Sequence, residues 1–273
     1  MPELPEVETI VRRLRSELIG LKISKVRVLT PKILRLPKKV FTQALTGAII
    51  REIRRKGKLI LMDLGLGRTL VIHLKMTGQV LLTPKPTTAD RHTHVIFDFS
   101  PPGIQMHYRD IRKFGFFDLI QGDPTDRAHY VDRVGPDPFE ITAPQFTRLV
   151  LSKNKAVKSL LLDQSLISGL GNIYVDESLF QAKIHPLTKA GDISAARIKN
   201  LHRVIRSVLS RAILKKGSTL KDYRRPDGSS GGFQNYHQVY GRTGQACPFC
   251  QSPVQKIRVG GRGTHFCPGC QKL

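Results

Sequence analysis

All four cysteines of this 273-residue chain fall in its last stretch, as Cys247-Pro-Phe-Cys250 and Cys267-Pro-Gly-Cys270. No other feature restricts the fold so sharply. The pattern C-x2-C-x16-C-x2-C lets two knuckles converge on one tetrahedral Zn²⁺. Four thiolates leave no open coordination position, so the expected metal is structural, one per chain. Two disulfides are the competing arrangement, and they belong with export. The N-terminus carries Glu3, Glu6 and Glu8 where a secretory signal would carry basic and then apolar residues. No apolar run approaches the roughly 20 residues of a membrane helix. A soluble, cytoplasmic protein with no membrane partner is expected.

Upstream of the cysteines the hydrophobic period changes along the chain. "MPELPEVETI" opens a helix. Pro5 suits its first positions, Glu6 and Glu8 lie on the favourable side of the helix dipole, and Val7, Ile10, Val11, Leu14 and Leu18 recur at helical spacing up to Gly20. Pro2 and Glu3 have no role in that account. Short β-branched or aromatic runs follow, among them "KISKVRVLT", "KLILMDLG", "TLVIHLKMTGQVLL", "HVIFDFS", "IQMHYRD" and "FGFFDLI", divided by turn residues. They predict a β-sandwich or barrel. "VGPDPFE" reads as a linker. Beyond it "NKAVKSLLLDQ", "NIYVDESLFQAK" and "SAARIKNLHRVIRSVLSRAILKKG" read as helices, the last with Leu201, Val204, Ile205, Val208, Leu209 and Ala212 on one face. A Gly/Ser/Asp-rich loop from Gly217 precedes the cysteine module.

Charge narrows the partner. Lys plus Arg number 45 against 21 Asp plus Glu, a formal +24. Such an excess favours a polyanion, most often nucleic acid, although a solvated basic surface carries the same composition. The cysteine module holds Arg242, Lys256, Arg258, Arg262 and Lys272 and no acidic residue from 238 onward, which favours nucleic acid. Gly169 and Gly171 precede a helix beginning near Asn172, where bare backbone N–H groups suit a phosphate; a tight turn between packed helices is the equal alternative. Arg112 and Phe114 in "RDIRKFG" sit at a spacing that would project both from a loop into a base stack. Taken alone, Phe114 fits a core residue better.

These motifs converge. "MPELPEVET", "RRKGKL", "HLKMTG", "HTHVIF", "RKFG", "GLGNIYVDE", "QVYGR" and "GRGTHFCPGCQ" resemble, in order and rough spacing over essentially the whole chain, bacterial formamidopyrimidine-DNA glycosylase. The resemblance implies an α+β multidomain fold: an N-terminal β-sandwich with a flanking helix (1–131), a linker (132–145), a helix–two-turns–helix domain (146–237) with a lesion-capping loop near 217–234, and a C-terminal β-hairpin zinc finger (238–273). It implies a monomer acting on damaged double-stranded DNA at the nucleoid. The activity would be base excision repair: removal of oxidised purines, then strand cleavage by β,δ-elimination.

Residue by residue, the resemblance implies that Met1 is removed and that the Pro2 nitrogen is the Schiff-base nucleophile. The chemistry is sound, since a free α-amine of pKa roughly 7.7–8.0 is partly neutral near pH 7 while a lysine near 10.4 is not. Glu3 would be the proton donor, Lys58 the proton donor of β-elimination, and Arg262 that of δ-elimination. His73, His92, Arg112, Lys153, Asn172 and Tyr240 would bind DNA. Met76, Arg112 and Phe114 would fill the gap left by the everted nucleotide. Thr77 stands where some relatives carry glutamate, so no base contact is assigned to it. An endonuclease VIII-like enzyme would favour oxidised pyrimidines; "PELPE" and the long loop after Gly217 argue against it. A zinc-dependent DNA-binding protein without catalysis accommodates every basic motif but leaves Pro2 and Glu3 without a role.

Overall fold

The computed structural model describes residues 1–84, 88–122, 131 and 133–273. The chain forms two compact units, Met1–Asp132 with Lys215–Gly232, and Arg133–Leu214 with Phe233–Leu273. The linker boundary at Asp132 lies outside the described residues.

In the first unit, helix α1 (Leu4–Leu18) starts where the sequence places it, with Glu3 as N-cap and Pro5 in the first turn. Val7, Ile10, Val11, Leu14 and Leu18 are fully buried, each contributing about 1.5–3 kcal/mol over exposure. The strands are β1 (Lys22–Val28), β2 (Glu52–Lys56), β3 (Leu59–Asp63), β4 (Arg68–His73), β5 (Gly78–Pro84), β6 (Thr93–Ser100), β7 (Ile104–Asp110) and β8 (Phe116–Gln121), with the short helix α2 (Lys38–Leu45) between β1 and β2. They form two antiparallel four-stranded sheets, ordered β1-β6-β7-β5 and β2-β3-β4-β8. Their inner faces share one core with α1. Phe117 of one sheet packs edge-on against Tyr108 of the other at 4.8 Å, and Phe41 of α2 touches both Phe97 and Phe117. This is the expected β-sandwich with its flanking helix.

Lys215–Gly232, which the sequence reading grouped with the helical domain, has its contacts in this first unit. The Tyr223 ring is buried in the sandwich core. Gln79 donates to the Asp222 carbonyl, and Leu82 N–H to the Pro226 carbonyl at 2.7 Å. The loop thus lies along β5, and its neck is closed by Gly232 N–H to Lys215 O at 2.9 Å.

The second unit is helical. It comprises α3 (Ala143–Leu151), α4 (Val157–Leu161), α5 (Asn172–Gln181) and α6 (Ala195–Leu214), then the hairpin of β9 (Gln255–Val259) and β10 (Arg262–Phe266). α6 buries the predicted stripe Leu201, Val204, Ile205, Val208, Leu209 and Ala212, packing on α3 and α5. α3 begins inside the span read as linker because Thr142 and Gln145 form a capping box ahead of Phe146 and Val150. α4 is shorter than the motif around it: Asp163 accepts from Ser165 N–H and turns the chain. Among the described residues no helix is long and apolar enough to cross a membrane.

Candidate active site and metal centre

At the head of α1, Pro2 is buried and Glu3 is only 2% exposed. The Glu3 backbone N–H donates to Glu6 Oε2 at 2.8 Å. Farther along the helix, Glu8 binds Arg12 at 2.8 Å and Arg55 of β2 at 3.0 Å. Arg55 also donates to Gly57 O at 3.1 Å, in the turn that carries Lys58. Burial pushes the Glu8 carboxyl up, but Arg12 and Arg55 outweigh it and hold it below its ordinary value. Glu8 and Arg55 therefore tie helix α1 to the turn that carries Lys58.

Lys58 is buried, and the β3–β4 register pairs its neighbour Leu59 with His73. Burial, with the charges of Lys75, Lys58 and Arg35 adding to it, pushes His73 down to about 3. The ring is neutral at physiological pH. Its Nδ1 accepts the Lys75 backbone N–H at 2.9 Å, which places the proton on Nε2. His73 thus offers a neutral N–H donor beside three cations, a suitable group for a phosphate oxygen.

Met76, Arg112 and Phe114 occupy two turns, β4–β5 and β7–β8, organised by the fully buried Asp110. Its carboxylate accepts from Thr77 Oγ1, from Arg112 N–H at 3.2 Å and from Gly115 N–H at 2.8 Å. The Thr77 hydroxyl is therefore engaged in locking the two turns together. Gly115 has no alternative, since a Cβ there would run into Tyr108 Oη. Phe114 is 54% exposed with the Arg112 guanidinium 4.5 Å from its ring centroid, so it is no core residue. His92 is half-buried at the same end of the sheet, its carbonyl accepting Asp110 N–H at 3.0 Å.

In the second unit α5 starts at Asn172 with Gly171 as N-cap, as the glycines predict. Asn172 Nδ2 donates to Gly263 O at 2.8 Å, and Lys158 Nζ reaches the same carbonyl at 3.2 Å. Gly263 adjoins the exposed Arg262, so the hairpin tip is fixed to the helix start. Asp176 completes the anchor: it pairs with Lys158 at 2.6 Å, both side chains fully buried, and accepts His265 N–H at 2.9 Å. Glu177, buried beside it, accepts the N–H groups of Gln238, Val239 and Tyr240 at 2.9–3.0 Å. The Tyr240 ring meets His265 edge-on at 4.8 Å. Arg262, Asn172 and Tyr240 are brought together this way, while Lys153 lies on the turn after α3, its N–H on Val150 O. Lys158, Asp176 and Glu177 went unnoticed in the sequence, where charges inside a helical run read as solvated.

The four cysteine Sγ atoms lie within 4.8 Å of one another, with Cys247–Cys270 at 3.8 Å and Cys250–Cys267 at 3.3 Å. A tetrahedron with Zn–S bonds of about 2.3 Å requires sulfur separations near 3.8 Å. The donor set fits zinc, and all four cysteines are free of disulfides. Gln271 supports the second knuckle, accepting Cys267 N–H at 2.9 Å and donating to Ile184 O at 2.8 Å.

Three family models match the chain: the formamidopyrimidine-DNA glycosylase N-terminal domain over residues 1–117, the formamidopyrimidine-DNA glycosylase H2TH domain over 134–224, and the zinc finger found in FPG and IleRS over 244–273. Together they span most of the sequence. The chain belongs to the formamidopyrimidine-DNA glycosylase family. Among curated members, that of Streptococcus pyogenes serotype M6 is 44% identical, covering 100% of this chain and 99% of its own. That of Pelotomaculum thermopropionicum is 41% identical with both chains fully covered. Among solved structures, Lactococcus lactis FPG mutant G226P in complex with a Fapy-dG-containing DNA has a TM-score of 0.93 at 38% identity, both chains fully covered. A MutM complex with carbocyclic 8-oxo-G-containing DNA gives 0.92 at 39%, again over both whole chains. As a family member the chain is a DNA glycosylase with a structural zinc finger.

Proposed function

We propose that this glycosylase excises oxidised purines, 8-oxoguanine and formamidopyrimidines, from duplex DNA and then cleaves the strand. The observation that carries the reading is the buried Pro2–Glu3 pair at the head of α1, with Glu3 N–H held by Glu6 and, farther along the same helix, Glu8 bound through Arg55 to the Lys58 turn. Removal of Met1 leaves Pro2 with a secondary amine. Its lone pair attacks the sugar C1′, the N-glycosidic bond breaks, and the base leaves with a proton supplied at the site. The adduct is an iminium, because a secondary amine bound to an aldehydic carbon has no neutral imine form. That cation acidifies C2′–H. Loss of the proton expels the 3′ oxygen, and a second elimination expels the 5′ oxygen.

Glu3 is the group that exchanges protons with the opening sugar, Lys58 assists the first elimination and Arg262 the second. His73, His92, Arg112, Lys153, Asn172 and Tyr240 hold the DNA, and Met76, Arg112 and Phe114 fill the stack behind the everted nucleotide. Flipping costs a few kcal/mol, offset by those insertions and by phosphate contacts. The segment 217–234 closes over the base. The zinc presents Arg262 and takes no part in the bond changes. The enzyme works as a monomer in the cytosol, on chromosomal DNA.

Product analysis tests the reading. An 8-oxoguanine:cytosine duplex should yield free 8-oxoguanine and a one-nucleotide gap with phosphate on both ends. A 3′ unsaturated aldehyde as final product would exclude the second elimination, and an intact strand would exclude the lyase.

A further inference from the structure

Glu6 is 1% exposed, and its two carboxylate oxygens go to two distant backbone donors. Oε2 accepts Glu3 N–H at 2.8 Å, and Oε1 accepts Ser218 N–H at 2.7 Å. Gly217, next to Ser218, has φ +77° and lies so close that a Cβ would stand 2.7 Å from Glu6 Oε1 and 2.9 Å from its Cγ. One buried anion therefore joins the terminus beside Pro2 to the neck of the Lys215–Gly232 loop. A helix-capping role requires only the Glu3 contact. The Ser218 contact goes beyond it.

We propose that Glu6 is a positioning residue that sets the base-covering loop and the Pro2–Glu3 terminus in one geometry, so that a base is attacked only where the loop is seated. This rests on the proposed roles of Pro2 and of the 217–234 segment. The consequence is selective. The loop matters while a base is present, and an abasic sugar has none.

Glu6→Gln separates the two contacts. Glutamine serves well at this position of a capping box, so its single oxygen keeps Glu3 N–H. Its NH₂ then faces Ser218 N–H, donor against donor. Losing a hydrogen bond to a charged group predicts a fall in single-turnover 8-oxoguanine excision of roughly tenfold to a hundredfold. Cleavage of a pre-formed abasic site, and the Kd for a tetrahydrofuran-containing duplex, should stay within about threefold of wild type. Hydrogen exchange should quicken at Ser218 and stay slow at Val7. Gly217→Ala attacks the same contact from the loop side. It should show the same selectivity, and the double variant should lose no more than the worse single. Wild-type excision by Glu6→Gln, or equal loss on lesion and abasic substrates in both variants, overturns the proposal. Absence of a borohydride-trapped adduct with wild-type enzyme would instead overturn the nucleophile reading on which it rests.

Discussion

His73 shows how a single residue's environment decides its chemistry. Burial and three neighbouring cations keep its ring neutral, and the Lys75 N–H on Nδ1 fixes the tautomer. A neutral donor releases no counterion on binding phosphate. His73→Ala should therefore weaken duplex binding without changing the slope of log K against log salt, whereas Lys153→Ala should flatten it by about one. His73→Gln, which keeps an N–H donor, should recover most of the affinity; equal salt slopes for the His73 and Lys153 variants would contradict the assignment. Glu8 gives a pH signature. Its folded pKa lies below the ordinary carboxylate value, so its stabilisation is fully present above about pH 4.5 and is lost as pH falls through the folded value. Glu8→Gln should cost roughly 1.5 kcal/mol at neutral pH and much less in acid, read by denaturant unfolding. At this scale the sequence was partly legible. The helix start at Asn172 is readable from its two glycines, and roles for Pro2 and Glu3 come only from the family resemblance, but the ring state of His73 and the second contact of Glu6 depend on neighbours far along the chain.

Among the elements, the zinc module is the part the sequence declares most openly, because metal geometry dictates ligand spacing. Zinc binds the four cysteines as thiolates, so protons compete with it and its retention falls as pH falls. Release to a chelator, followed colorimetrically, should be slow at pH 8 and markedly faster at pH 5. Cys267→Ser should lose zinc and duplex binding together, with the sandwich unit still folded by circular dichroism. The α5 anchor was hidden, since a buried Lys158–Asp176 pair has no spacing rule. Asp176→Ala removes the carboxylate facing the buried Lys158 ammonium and the acceptor of His265 N–H, so it should destabilise the helical unit by about 3–5 kcal/mol. Helix α3 had a readable signal in Thr142 and Gln145, obscured by the prolines before it. Helix α2 had little, with only Phe41 and Leu45 buried in eight residues.

The whole molecule carries a formal +24, which gives affinity for any duplex and says nothing about chemistry. Two sheets, a helical unit and a zinc hairpin are legible because each has its own hydrophobic period or ligand pattern. The attachment of Lys215–Gly232 to the sandwich unit is not, because it rests on Glu6, Gln79 and Tyr223, distant in sequence from the loop or ordinary in type. On the proposed mechanism the nitrogen of Pro2 forms the covalent bond to DNA. Incubation with an 8-oxoguanine:cytosine duplex and borohydride should leave a reduced protein–DNA adduct whose crosslinked peptide begins at Pro2. A variant that retains a residue before Pro2 has an amide there, with its lone pair delocalised. It should lose the adduct while holding duplex affinity within a few-fold. An adduct that survives the blocked terminus and disappears in Lys58→Ala would make the nucleophile a lysine and contradict the account.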